Sequence, residues 1–225
     1  MDLTEVMHTT FAAREFTDEP VDDATLYRIL DHARFAPSGG NRQGWRVIVV
    51  HDRRKREALV ELMRPAVQRY LAQMFAGESP LNTVVPSKVD EATIASVTVP
   101  PQMLERIAFA PALLLVAVDL RLVASFDAAL PRVGVISGAS IYPFVWNILL
   151  AARNEGLGGT LTTFVTAAEA EVKRLFALPD SFAVAALVPI GRPVKQLTKL
   201  ARKPVAEFTT VDGFDGAPLG KPEGK

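Results

Sequence analysis

Ala36-Pro37-Ser38-Gly39-Gly40-Asn41-Arg42-Gln43-Gly44-Trp45 is the stretch on which the reading of this chain turns. Before it, Leu26, Ile29, Leu30 and Ala33 recur at the three- and four-residue spacing of one helix face. After it, Trp45-Arg46-Val47-Ile48-Val49-Val50 has the composition of a largely buried β-strand. Pro37 ends the helix, because its ring pushes the preceding residue toward extended backbone. The Gly39-Gly40 pair permits positive φ or the close approach of another molecule. Ser38, Asn41 and Gln43 supply short donors and acceptors at the mouth of a sheet. On composition alone the segment is either a polar helix-to-strand loop or a seat for a polar, planar ligand.

The same residues resemble the A-P-S-x-x-N-x-Q-P-W signature of the nitroreductase-like FMN flavoproteins. Upstream, Arg14-Glu15-Phe16-Thr17-Asp18-Glu19-Pro20-Val21 resembles the second half of that family's R-R-S-x-R-x-F…P-V opening. Downstream, Ile148-Leu149-Leu150-Ala151-Ala152 and Gly156-Leu157-Gly158-Gly159 resemble its helix-then-GLG segment. The resemblance implies an α+β fold: a nitroreductase-like central mixed β-sheet flanked by helices, with a long central dimer-forming helix and a C-terminal tail that wraps the partner subunit. It implies a homodimer in which both subunits build each site. FMN is the implied cofactor and NAD(P)H the hydride donor. The partner substrate is an electron-poor small-molecule acceptor (nitro compound, quinone or enone), reduced by ping-pong hydride transfer through flavin N5.

By position in those motifs, Arg14 falls at the family's basic residue near the flavin phosphate or the pyrimidine edge. Pro37, Ser38, Gly39 and Asn41 fall on the turn that contacts ribityl and ring. Thr160, Leu161 and Thr162 fall on the strand whose backbone passes the central ring. Arg202, in Leu200-Ala201-Arg202-Lys203-Pro204, falls at the basic residue that closes the phosphate site. No side chain is assigned as a catalytic acid or base, since the ping-pong chemistry needs none; Thr162 or Thr163 is placed to donate a hydrogen bond near N5. Each assignment has a plainer rival. Arg14 can pair with Asp18 or Glu19, Ser38 and Asn41 can cap turns, and Lys199 or Lys203 can meet a phosphate as well as Arg202.

The chain also departs from the pattern. The family's earlier Arg falls at Thr10 or Phe11, and its Ser at Ala12, so that side of the phosphate site lacks a cation and a hydroxyl. One lost charge-assisted contact costs about 1.5–3 kcal/mol, roughly one to two decades in affinity. Either binding is weaker, or Arg202, Lys203 or Arg192 compensates. Gly44 stands in place of the proline before Trp45. The weakened phosphate side motivates an alternative, a non-catalytic flavin-binding or structural homodimer.

The rest of the chain bounds these readings. Its 225 residues, 49% hydrophobic, suit one core with extensions. Residues 1–195 are expected to form the FMN-binding domain. Residues 196–225, polar and proline-containing, are expected to wrap the partner subunit or to be partly disordered. Lys plus Arg equals Asp plus Glu, 25 against 25, so no net field favours nucleic acid or an anionic membrane. There is no cysteine, which excludes disulfides, thiolate nucleophiles and Cys-ligated metals. Together with an acidic start that does not resemble a signal peptide, this leads to the expectation of a cytoplasmic protein. His8, His32 and His51 lack metal-ligand spacing, and no hydrolase elbow, P-loop or dinucleotide turn occurs. Any chemistry therefore comes from a bound organic cofactor.

Val133 to Ala152 carries no charge and is long enough to cross a bilayer. Ser137, Ser140, Pro143 and Asn147 favour instead a buried helix, from about Leu130 to Asn154, ended by Gly156. Asp52 to Gly77 reads as a long helix that Pro65 should kink or split. Its Arg53-Arg54-Lys55-Arg56 run is either a solvated face or a phosphate patch. Glu78 to Pro101 reads as an excursion that covers a substrate pocket or as a disordered surface insert. Ala112–Val118 and Phe182–Ile190 read as strands covered on both faces.

Overall fold

The computed structural model describes residues 1–220; residues 221–225 of the predicted extension lie outside the described residues. The sheet has the strand order β1-β2-β4-β3, with β1 Trp45–Val49, β2 Ala112–Asp119, β3 Gly158–Gly159 and β4 Phe182–Gly191. All three pairings are antiparallel, and a parallel bridge from Ala12 to Gly159 makes the sheet mixed. Every residue of β2 is buried, and nearly every residue of β4. Side chains alternate across a strand. Leu114, Val116 and Val118 therefore enter one core with α2 (Asp23–Ala33) and α6 (Tyr142–Asn154). Leu113 and Leu115 enter a second core with α3 (Arg53–Phe75), α5 (Pro101–Ala108) and α7 (Glu169–Phe176). Two helical layers enclosing one sheet give the expected α+β architecture.

Helix starts follow the caps the sequence provides. Asp2, Asp22 and Asp52 accept from the backbone N–H three residues on, opening α1 (Leu3–Thr9), α2 and α3. Asp90 does the same for α4 (Glu91–Ser96), a six-residue helix inside the excursion that the sequence reading passed over. Two expectations are corrected. The central helix begins at Tyr142 rather than near Leu130, preceded by a 3-10 turn over Ile136–Ser140. Pro143 has no N–H to give a preceding turn, and it fits only the first turn of α6. Pro65 neither ends nor splits α3, which runs on to Phe75; the proline faces solvent, where water replaces the lost hydrogen bond. Among the described residues no helix is long and apolar enough to cross a membrane.

The basic run at the start of α3 is consumed locally. Arg53 pairs with Glu57 and lies over Phe109, and Lys55 lies over Phe176. Arg56 donates to the carbonyls of Val50 (2.6 Å) and Ala110 (2.6 Å). After β2, the loop Leu120–Ile136 is organised by Asp127, whose carboxylate accepts from Ser125, Arg132 and the Val135 amide.

Candidate functional site

The first structural cause of the site is a row of glycines at the sheet edge. A Cβ on Gly159 would sit 2.7 Å from the Pro189 carbonyl oxygen, and one on Gly191 would sit 2.9 Å from Phe16. Their absence lets the segment Ala12–Thr17 cross the edge of β3 and β4. The Ala13 amide donates to Gly159 (3.0 Å) and the Thr17 amide to Arg192 (2.9 Å). This crossing carries Arg14 to a cavity of about 140 Å³ lined by Arg14, Phe16, Met103, Arg106, Thr160 and Thr162, among others. A second, more open pocket of about 270 Å³ shares Arg14, Phe16 and Arg106 with it.

Arg14 is exposed and, among the described residues, donates only to the Ala12 carbonyl (3.3 Å). Among the described residues it pairs with neither Asp18 nor Glu19, because Glu19 is taken by Arg192. Thr160 is 6% exposed, and among the described residues neither its hydroxyl nor that of Thr162 has a hydrogen-bond partner. The Thr162 amide is committed to the Leu187 carbonyl (3.0 Å). Leu161 turns to the opposite side and packs against the first core. Met103, Ile107 and Phe164 supply apolar walls. An unpaired guanidinium, two free hydroxyls and flat apolar sides fit the pyrimidine end and ring of a flavin. The cavity by itself is smaller than the ~300 Å³ and upward typical of a pocket that holds a whole cofactor.

The signature turn lies elsewhere. The Gly44 carbonyl accepts from the Asp119 amide (2.9 Å), and Asp119 pairs with Phe182 at the start of β4. The Thr160 amide reaches Pro189, seven residues further along β4, a separation of about 23 Å at roughly 3.3 Å per residue. The turn also packs on the α2/α6 layer through Ala36 and Trp45, whereas Ile107 and Phe164 belong to the other layer. Pro37, Ser38, Gly39 and Asn41 are therefore not brought to Arg14, Thr160 and Thr162 within one chain.

The turn is itself held tightly. Trp45 stacks on Phe144 with ring centroids 4.7 Å apart, and the Gly39 amide donates to Ser140 Oγ (3.1 Å). Ser38 Oγ accepts from the Gln43 amide (2.9 Å), and Gln43 Nε2 donates to Asn41 Oδ1 (3.1 Å). Gly40, Asn41 and Gln43 all have positive φ, at 60°, 53° and 49°. Two non-glycine residues in the left-handed region within three positions mark stored strain, a feature that clusters at ligand clamps.

Arg202 is not at the cavity either. It sits in an exposed stretch of the tail and donates to the Ala201 carbonyl (2.7 Å). The tail leaves β4 along the crossing segment, with the Val194 amide on Glu15 (3.1 Å) and Gln196 Nε2 on Thr9 (3.0 Å). A cavity of about 520 Å³ lies between the end of α3 and residues 78–89. It contains none of the residues singled out by sequence, and we place the site where Arg14 and the two threonines converge. Sequence reading missed Met103, Arg106 and Ile107; helical spacing in α5 puts the three on one face, but nothing local says what that face meets. Among the described residues no cluster of His, Asp or Glu could hold a metal ion.

Comparison with known proteins bears on the family and the fold. The model of the Nitroreductase family matches residues 9–192. The 5,6-dimethylbenzimidazole synthase of Rhodospirillum rubrum is 40% identical over 48 residues, which is 21% of this chain and 23% of that protein. The chain matches only about a quarter of the length of its curated relatives, 28% and 23%. Among solved structures, a BluB-like flavoprotein of Clostridium difficile 630 superposes with a TM-score of 0.67 at 20% identity, covering 93% of this chain and 98% of that one. The NADPH:FMN oxidoreductase of Vibrio harveyi, complexed with NAD+, gives 0.65 at 19% identity, covering 94% and 77%. With a family model spanning the crossing segment, the signature turn and the glycine row alike, the chain belongs to the Nitroreductase family.

Proposed function

We propose that the protein is an FMN-dependent NAD(P)H oxidoreductase that acts as a homodimer, each flavin site being shared between two subunits. The observation that carries this reading is the convergence of Arg14, Thr160 and Thr162 on one cavity, while the strained Ser38–Gln43 turn stands at the other end and other face of the same sheet. Bound FMN would supply a ring that accepts hydride from NAD(P)H and passes it to an electron-poor acceptor such as a nitro compound, quinone or enone. The chain's own groups bind and orient. Arg14 meets the anionic edge, and the free hydroxyls of Thr160 and Thr162 satisfy polar ring atoms. Met103, Ile107 and Phe164 keep water from the ring. With the Thr162 amide engaged by Leu187, backbone donation toward N5 falls to Thr163.

Pairing of two chains brings the turn of one to the cavity of the other. The surface is suited to it: Phe126 is 93% exposed, Trp146 on α6 is 46% exposed, and Phe214 in the tail is fully exposed. Apolar groups of this size left in water mark association surfaces. In this reading the described tail beyond Gln196, which itself donates to the Thr9 carbonyl of its own chain, embraces the partner subunit.

The test is spectroscopic. Purified protein is expected to be yellow, to bleach with NADH or NADPH under argon, and to recover colour on adding a quinone, while eluting as a dimer. Protein that binds FMN but does not bleach would make it a flavin carrier without turnover, in keeping with the missing cation at Thr10. Colourless protein that takes up no FMN would leave only a structural dimer.

A further inference from the structure

The last turn of α3 and the excursion after it enclose the cavity of about 520 Å³. The helix ends at Gly77, whose φ of 74° turns the chain back so that the Glu78 amide meets the Gln73 carbonyl (2.9 Å). Three side chains then hold residues 78–89 in an arch. Gln73 Oε1 accepts from the Leu81 amide (2.8 Å). Asn82 Oδ1 accepts from the amides of Val84 (2.8 Å) and Val85 (2.7 Å). The Glu78 carboxylate accepts from Ser87 Oγ (2.6 Å) and the Lys88 amide (2.8 Å). The space beneath falls within the ~300–1,000 Å³ of pockets that hold small molecules.

We propose that this cavity binds a small carboxylic acid with an apolar body, at a site separate from the flavin cavity. The two share no lining residue, so this site is independent of the FMN reading. The arch consumes acceptors and leaves donors. With Oε1 and Oδ1 bound to backbone amides, the free ends of Gln73 and Asn82 are their NH2 groups. Gln73 is only 5% exposed, and among the described residues its Nε2 has no hydrogen-bond partner. A buried donor in that position needs an acceptor from whatever fills the cavity. Lys88 also lines it, and among the described residues its ammonium forms neither an ion pair nor a hydrogen bond. The Ser87 hydroxyl and the Lys88 amide hold the Glu78 carboxyl below the usual carboxylate range, so its charge is spent on the arch. Charge-assisted bonds to an anion are the strongest these donors can make. One ammonium beside one carboxylate suits a single negative charge better than a phosphate dianion. Ala76, Leu81, Val85 and Pro86 form apolar walls for the rest of the ligand.

The experiment is calorimetric titration of the full-length, flavin-loaded protein with 2-naphthoate and with 2-naphthamide, its uncharged counterpart of the same shape. The acid is expected to bind about tenfold more tightly than the amide, the gain from one charge-assisted contact. Lys88→Gln should remove that preference. Gln73→Glu keeps an acceptor for the Leu81 amide and replaces the free donor with a second oxygen, so it should weaken the acid about tenfold or more. A Gln73 that only pinned the arch would leave binding unchanged in that variant. Arg14→Ala should bind the acid as the wild type does.

Equal affinity for acid and amide, no binding of either, or affinities unmoved by Lys88→Gln would each overturn the assignment. So would a loss in Arg14→Ala, which would put the acid in the flavin cavity instead. If Gln73→Glu fails to fold, Lys88→Gln decides alone, because its side chain is exposed: a lost preference for the acid supports the site and a retained one sinks it.

Discussion

Arg56 donates to the carbonyls of Val50, Ala108 and Ala110 and so ties the start of α3 to the residues flanking β2. Half-burial holds its guanidinium below the usual arginine range, yet it stays charged at any physiological pH. Arg56→Ala strands these acceptors and is expected to cost about 2–3 kcal/mol, read from denaturant midpoints. Asp127 plays the matching role for the loop before α6. The Val135 amide, with help from Arg132 and Ser125, holds its carboxyl well below the usual carboxylate range. A group whose folded pKa is depressed contributes fully above its unfolded pKa, and the contribution fades as pH falls. Wild-type stability should therefore drop from about pH 4 downward. Asp127→Asn should be less stable at pH 7 and show a shallower acid limb in thermal melts. Ala177 ends α7 with φ 52°. Ala177→Gly should relieve a left-handed cost of about 1–2 kcal/mol, less what glycine adds to the unfolded chain's freedom. A rise in Tm of a few degrees checks it.

The element that builds the site is the Ala12–Thr17 crossing, and it depends on side chains that are absent. Gly159→Ala would drive a methyl group to 2.7 Å from a backbone oxygen. Overpacking of this kind costs about 1–3 kcal/mol, and here it would also lift Arg14 from the cavity. The expected result is a variant that melts lower and binds FMN more weakly than Gly220→Ala, whose Cβ would meet nothing within 4 Å. The glycine row was legible as a motif, whereas its reason was not: the strand it receives lies about 145 residues earlier in the chain. Local patterns gave α2, α3, β1, β2 and β4 close to their true bounds, since capping aspartates and apolar periods act over a few residues. They overextended α6, because a run free of charge does not tell helix from packed loop. They missed α4, which is too short to show a period.

At the scale of the whole molecule the turn and the cavity are separated by the length of the sheet, and in the proposed homodimer each chain would contribute two half-sites. Two variants that each spoil a different half give a sharp test, Arg14→Glu and Gly39→Glu. Each homodimer should lose most of its activity. If sites are shared, random exchange makes half of the dimers mixed, each with one intact site and one doubly damaged site, returning about a quarter of wild-type turnover. Recovery near zero after verified exchange would show that each chain works alone. Trp146→Glu should weaken the dimer in equilibrium sedimentation and reduce FMN uptake with it.

The sequence by itself determined the family, the layered α+β architecture and the absence of cysteine chemistry. These follow from residue types, from periods of two and 3.6, and from motifs read within a dozen positions. Only the tertiary structure decided that Arg14, Thr160 and Thr162 meet, that the Pro37–Asn41 turn stands apart from them, and that Arg106 joins the cavity. Each of those facts is a register between distant strands, and register is fixed by how two buried faces interlock rather than by any local preference of the residues involved.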